Sequence, residues 1–186
     1  MKMTGQSAAA RLHELQVSAT REEAEAFFDT LHALEVENMF GRWRGSGFET
    51  GSPFDGLLES YGWYGKRFDG PNDAHPLVFT DRRGLFSVNP AGLPLAYVAG
   101  LGQKLSSVAI TAPVRTLLRL RATSKPTARL RMMEYRGVCT ATMSYDALAI
   151  NDHFRRVDER TVVGVMDARG LDAPFFFVLH RDGPAH

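Results

Sequence analysis

The chain has one cysteine, Cys139, in 186 residues, which excludes an internal disulfide and any zinc cluster built on cysteines. As a nucleophile Cys139 would need a neighbouring histidine and a lowered pKa, and burial in the middle of an expected strand makes it inert. The six histidines, His13, His32, His75, His153, His180 and His186, are scattered. No pair stands at His-Glu-x-x-His spacing, so no metal-ligand set is visible. Equally missing are a Gly-x-Ser-x-Gly elbow, a phosphate-cradling Gly-x-x-x-x-Gly-Lys-Ser/Thr loop and a Gly-x-Gly-x-x-Gly turn after a strand. No unbroken apolar run reaches the roughly eighteen residues of a membrane span, and Met1 to Arg11 contain no apolar signal core. A soluble cytoplasmic protein is expected. With 22 Lys and Arg against 21 Asp and Glu, the chain as a whole is not built to hold a polyanion, and nucleic acid is not an expected partner.

The positive signals start from Phe40-Gly41-Arg42-Trp43-Arg44-Gly45-Ser46-Gly47-Phe48. As a strand, this segment places Trp43 with Gly41, Gly45 and Gly47 on one face and Arg42, Arg44 and Ser46 on the other. One large ring surrounded by bare backbone fits a sharply bent or closed sheet, where glycine admits close approach of another segment. Upstream, Thr20 and Glu23 form a capping-box pattern that opens a helix from about Arg21 to Glu37, with Ala24, Phe27, Phe28, Leu31 and Leu34 on one stripe. Residues 1–19 are expected to be flexible. Phe54 to Tyr61 reads as a short helix and Phe68 to Asp73 as a loop, while Leu77–Thr80 and Leu85–Val88 form a hairpin.

From Asn89 to Pro113 glycine and proline prevent a regular assignment, and Leu93, Leu95, Tyr97, Val98 and Leu101 are expected to pack. Thr111 and Pro113 start a helix to about Thr123. Thr127 to Tyr135, an Arg136-Gly137 turn and Val138 to Tyr145 form the clearest hairpin. Asn151 or Asp152 caps a helical turn through Val157. Thr161 to Met166 and Phe175 to Arg181 are strands apolar on both faces, and therefore covered on both. A basic run, Arg115, Arg119, Arg121, Lys125, Arg129, Arg131 and Arg136, reads either as a face balanced by acids elsewhere or as an entrance for an anionic amphiphile or membrane surface.

Gly-x-Trp-x-Gly resembles the first strand of the calycins, which include the lipocalins and fatty-acid-binding proteins. Together with Tyr61-Gly62-Trp63-Tyr64-Gly65-Lys66-Arg67-Phe68 and His75-Pro76-Leu77-Val78-Phe79, it resembles the bacterial GXWXG domain over residues 37–88. Residues 111–181, from Ala128-Arg129-Leu130-Arg131 to Gly164-Val165-Met166-Asp167, are similar to the domain of unknown function that usually comes after it. The resemblance implies a single domain over 1–186, mainly β with helices (α+β): a calycin-like antiparallel β-barrel with an N-terminal helix and short capping helices. It also implies that a cation near the last strand, here Arg181, stacks on Trp43.

The function expected on this basis is non-catalytic binding of a fatty acid, phospholipid or other apolar small molecule, with no cofactor. The expected ligand-binding residues are Trp63, Lys66, Arg67, Arg131, Met132, Tyr135, Met143, Tyr145, Phe175 and Phe177. The tail would lie among Met132, Met143, Phe175 and Phe177, and Lys66, Arg67 or Arg131 would meet an anionic head. Tyr145-Asp146 with Asp152-His153 is the densest polar cluster, read as turn caps or as a headgroup site. The alternative is an enzyme or a nitrobindin-like haem protein on the same barrel, with His180 or His153 as the iron ligand.

Overall fold

Alternation of apolar and polar residues dominates the second half of the chain, and strands dominate the fold. The computed structural model describes residues 7–92 and 108–183. In chain order the elements are α1 (Ala8–Val17), α2 (Arg21–Thr30), a 3-10 turn (Val36–Met39), β1 (Gly41–Gly47), α3 (Leu57–Ser60), β2 (Trp63–Gly70), β3 (Asp73–Asp81) and β4 (Gly84–Val88). They continue with α4 (Val108–Leu120), β5 (Ala122–Thr123), β6 (Ala128–Tyr135), β7 (Val138–Tyr145), β8 (Ile150–Arg156), β9 (Thr161–Ala168) and β10 (Phe175–Asp182). The expected helix through Asn151–Val157 is absent: those residues are β8. Leu93, Leu95, Tyr97, Val98 and Leu101 lie outside the described residues.

Neighbouring strands run β2-β1-β10-β9-β8-β7-β6-β3-β4-β5, and β3 also pairs with β2. The first eight in this order therefore close into an antiparallel ring, from which β4 and β5 extend. Closure between β3 and β6 is narrow, one residue pair of Ala74 opposite Ala128. Arg136 and Gly137 adopt φ of 51° and 75°, the primed turn whose twist suits a hairpin. β6 and β7 pair around it, from Ala128 opposite Tyr145 to Tyr135 opposite Val138.

The ring separates two apolar clusters. Inside it Trp43, Phe68, Leu130, Met143, Phe154, Phe175, Phe177 and Leu179 are buried together. Outside, Val163, Val165, Phe176 and Val178 are covered by Leu12 and Leu15 of α1 and by Ala24, Phe27 and Phe28 of α2. The two-faced apolar character of β9 and β10 is thus explained by side chains inside and helices outside. Residues 8–17, expected to be flexible, form a helix because Leu12 and Leu15, one turn apart, reach this outer cluster.

The Thr20–Glu23 capping box is present, but α2 ends at Thr30 rather than near Glu37. Leu31 and Leu34 continue the helical spacing, yet the chain turns extended to cross one end of the ring, tied to β7 by Leu34 N–H donating to Thr140 Oγ1 (3.0 Å) and Ala141 N–H to Leu34 O (2.8 Å). Under this segment Trp43 is 1% exposed. Its indole N–H donates to Met39 O (2.7 Å), and the Arg181 guanidinium lies 4.3 Å from its ring. Arg181 also donates to Phe40 O (2.7 Å) and to Asn38 O. The cation–ring contact, worth about 0.5–2 kcal/mol, and these bonds lock that end shut.

On the outward face of β8, His153 stacks on Tyr135 with centroids 4.0 Å apart. Thr142 donates to Thr140 O (3.1 Å), so at 2.9 Å His153 Nδ1–H donates to Thr142 Oγ1. Nε2 is then the bare nitrogen, buried without a partner among the described residues, and burial pushes the imidazole pKa down to about 4. The unfolded chain, with an ordinary value of about 6.5, takes up a proton first as pH falls. Stability is therefore fully present above about 6.5 and lost progressively towards about 4, by on the order of 2 kcal/mol. Urea unfolding at pH 7 and pH 4.5 should show this loss, reduced in His153→Phe, which keeps the stacking; an unchanged pH difference in the variant would contradict the assignment.

Candidate functional site

Trp63 and Lys66 are three residues apart, an interval that puts side chains on opposite faces of a regular strand. The β2–β3 register shifts at Gly65, a bulge that inserts one residue and re-aims the side chains beyond it. Both side chains consequently reach one ring inside the fold: the Trp63 and Phe177 centroids are 6.2 Å apart, and Lys66 Nζ is 4.8 Å from the Phe177 centroid. The strand that faces them is β8. There Ile150 and Phe154 belong to the inner cluster, so alternation also turns Asp152 inwards, in register with Met143 of β7.

Lys66 Nζ donates to Asp152 Oδ2 at 2.7 Å and to Pro76 O at 3.1 Å. Tyr145 Oη donates to the same Asp152 oxygen at 3.3 Å. Lys66 is 3% and Asp152 1% exposed. Around the ring, β2 and β8 are separated by β1, β10 and β9 in one direction and by β3, β6 and β7 in the other. The ion pair therefore spans the interior. Rings fill the space beside it: Phe68 with Phe154 at 5.8 Å, Phe154 with Phe177 at 6.3 Å, Phe175 with Phe177 at 5.9 Å and Phe54 with Phe175 at 5.8 Å.

A charged pair in such surroundings is a poor stabiliser, since desolvating two ions costs several kcal/mol each and well-packed apolar residues often do as well or better. Burial pushes the Asp152 carboxyl pKa up, while Lys66 and Tyr145 pull it down. Burial and the neighbouring Asp152 raise Tyr145 well above an ordinary phenol, so it stays a hydrogen-bond donor. Asp152 Oδ1 and Trp63 Nε1 are both buried without a hydrogen-bond partner among the described residues. Buried polar atoms are nearly always paired, and here one acceptor and one donor are left over within the apolar interior.

Of the ten expected ligand-binding residues, the interior gathers Trp63, Lys66, Met143, Tyr145, Phe175 and Phe177. The other four lie elsewhere. Arg67 bonds to His75 on the outward side (2.8 Å). Arg131 donates to Pro71 O and Asn72 Oδ1 at 2.9 and 2.8 Å on the surface. Met132 is 38% exposed towards the end of the β6–β7 hairpin, where it cannot join Met143 in a continuous wall. Tyr135 packs against the outer cluster. The three cations therefore do not converge.

Asp152, expected as a turn cap or as part of a headgroup site, is the carboxylate at the centre of the interior. The signal for it in the sequence is the alternation of Ile150, Asp152 and Phe154 against Asn151, His153 and Arg155. Cys139, expected to be buried, is exposed. His153 faces outwards against Tyr135, and His180 lies on the outward face with Ser46 and Thr161. Neither reaches the interior. Among the described residues no group of three His, Cys, Asp or Glu is arranged to hold a metal ion, and no helix is long and apolar enough to cross a membrane. The basic run is largely tied down: Arg119 pairs with Asp81, Arg129 with Asp146, and Arg136 with Asp29 and Glu25.

Residues 26–84 match the GXWXG protein family, and residues 126–181 match the Domain of unknown function (DUF4334). A crystal structure of a protein from Thermomonospora curvata is similar to this chain with a TM-score of 0.69 and 32% identity, over 95% of this chain and 99% of that one. No curated protein matches the chain.

Proposed function

This chain belongs to the GXWXG family, with the DUF4334 domain following the motif, and we propose that it binds a fatty acid, a phospholipid or a similar amphiphile inside a calycin-like barrel. The observation that supports this most is the Lys66–Asp152 pair, which crosses an aromatic interior and leaves Asp152 Oδ1 and Trp63 Nε1 unpartnered. A ligand carboxylate or phosphate takes Lys66, and its hydrocarbon lies along Trp63, Met143, Phe175 and Phe177. Asp152, already pushed towards its neutral form by burial, picks up a proton as Lys66 changes partner. The charge of the interior is thereby conserved.

The rings that fill the interior have to move aside for the tail. Each ring pair is worth about 0.5–1.5 kcal/mol beyond its buried area. An acyl chain gains about 0.8 kcal/mol per buried methylene, so ten or so methylenes outweigh several such contacts. A protein of this kind is a carrier or sensor, and its chemistry is exchange of partners without covalent change.

The test is a native mass spectrum of the purified protein before and after organic extraction, followed by titration with dodecanoate. An adduct of lipid mass, or saturable uptake of one dodecanoate per chain, is the expected result. No adduct together with no saturable uptake would remove the reading.

A further inference from the structure

The outward face of β1–β4 carries a cavity lined by arginines. Arg42 and Arg67 are directly opposite each other in the β1–β2 register, which puts two guanidinium-bearing side chains side by side on one face. Like charges so placed repel one another, a repulsion that Asp69 beside Arg67 and Asp182 opposite Arg42 offset from the flanks. They line a cavity of about 490 Å³ together with a third arginine, Arg119, an apolar floor that includes Leu85 and Phe86, and the hydroxyls of Ser87, Thr123 and Ser124; among the described residues no Asp or Glu lines it.

Two of the three arginines are positioned by ion pairs and by a ring or a histidine beside them. Arg67 Nη2 donates to His75 Nε2 at 2.8 Å, with Asp69 3.0 Å from its Nε. Arg119 lies 4.5 Å over the Phe86 ring, with Asp81 3.6 Å away at the half-exposed edge. Arg42 is exposed and directly opposite Asp182 of β10 in register, and it makes no ion pair among the described residues. Tyr64, also on the wall, spends its hydroxyl on Asp182.

We infer that this cavity is a binding site for a phosphate monoester whose apolar or planar body rests on Leu85 and Phe86 while its phosphate bridges Arg42, Arg67 and Arg119. A dianion with three acceptor oxygens matches several planar guanidinium forks, whereas a single carboxylate needs only one. The volume is that of a small-molecule site. The chemistry is shared by a free ester and by a lipid headgroup, and the site is distinct from the interior one.

The probe is 1-naphthyl phosphate, titrated calorimetrically at low ionic strength beside inorganic phosphate and 1-naphthol. Saturable binding of one molecule per chain is expected, tighter than for either half alone. Loss of one charge-assisted contact should weaken it about tenfold in Arg42→Ala. Ala122→Glu, which keeps every arginine but places a carboxylate at an exposed lining position, should weaken it as much. Arg129→Ala removes the same charge elsewhere and should leave it unchanged.

Absence of saturable binding, or equal effects of Arg42→Ala and Arg129→Ala, would overturn the site. Sedimentation with phosphatidic acid vesicles that Arg42→Ala abolishes, alongside binding of the free ester, supports the headgroup as its natural source. Vesicle binding without any uptake of the free ester contradicts a pocket for a monoester. Dodecanoate uptake by Arg42→Ala should match the wild type, which separates failure here from failure of the interior reading.

Discussion

Gly65→Ala is expected to destabilise the protein by more than about 4 kcal/mol, the range reserved for a few specific kinds of damage. A Cβ at Gly65 would stand 2.0 Å from Trp43 O and 2.7 Å from Gly45 N. Those are backbone atoms of β1, which cannot swing aside as a side chain could. The residue also sits at φ +146°, so relief by local rotation costs strain as well. Because the Gly65 bulge is what brings Trp63 and Lys66 to the same side, the substitution attacks both the β1–β2 seam and the geometry of the interior. Gly84→Ala is the control: Gly84 has φ +106° but nothing within 4 Å of a new Cβ. It should cost only the backbone strain of about 1–3 kcal/mol. Urea denaturation of both variants measures the difference, and a Gly65→Ala protein no less stable than Gly84→Ala would contradict the close approach.

The second large effect concerns the ion pair. Lys66→Met leaves Asp152 buried without its cation, and Asp152→Leu leaves an ammonium among aromatic rings. Each should cost about 3–5 kcal/mol, whereas Lys66→Met/Asp152→Leu should unfold at nearly the wild-type urea concentration or above it. The coupling between the two sites would then be several kcal/mol, far beyond the few tenths seen for independent positions. Additive losses would mean that the two charges do not meet in solution.

Much of this architecture is written locally in the chain. The β6–β7 hairpin was legible because Arg136-Gly137 is turn chemistry between two alternating runs, and β9 and β10 because Val162-Val163 and Phe175-Phe176-Phe177 are apolar on consecutive positions. The Trp43–Arg181 contact came from family resemblance alone, since the two residues are far apart in sequence. The β2 strand was hidden because its bulge breaks the period of two at the point where Trp63, Lys66 and Phe68 turn inwards. Asn151-Asp152 disguised β8, since residues that cap helices can also face across a ring, and only the identity of the opposite strand distinguishes the two. Of the site, the apolar half was readable from methionine and phenylalanine in strands. Its polar half was not, because Lys66 and Asp152 become partners only when β2 and β8 face each other across the ring. Arg67 and Arg131 lie outside the interior for the same reason: positive charge near aromatic residues in sequence does not say which face of the sheet it occupies.

The interior ion pair is the centre of the functional reading, and its most direct test is calorimetric titration of dodecanoate into the wild type and Lys66→Met/Asp152→Leu. The wild type should bind one molecule per chain and take up close to one proton as it does so, measured by repeating the titration in two buffers of different ionisation enthalpy. The double variant should bind at least about tenfold more weakly, with the proton uptake gone. Equal affinity and equal proton uptake in the two proteins would contradict a polar end held at Lys66 and Asp152.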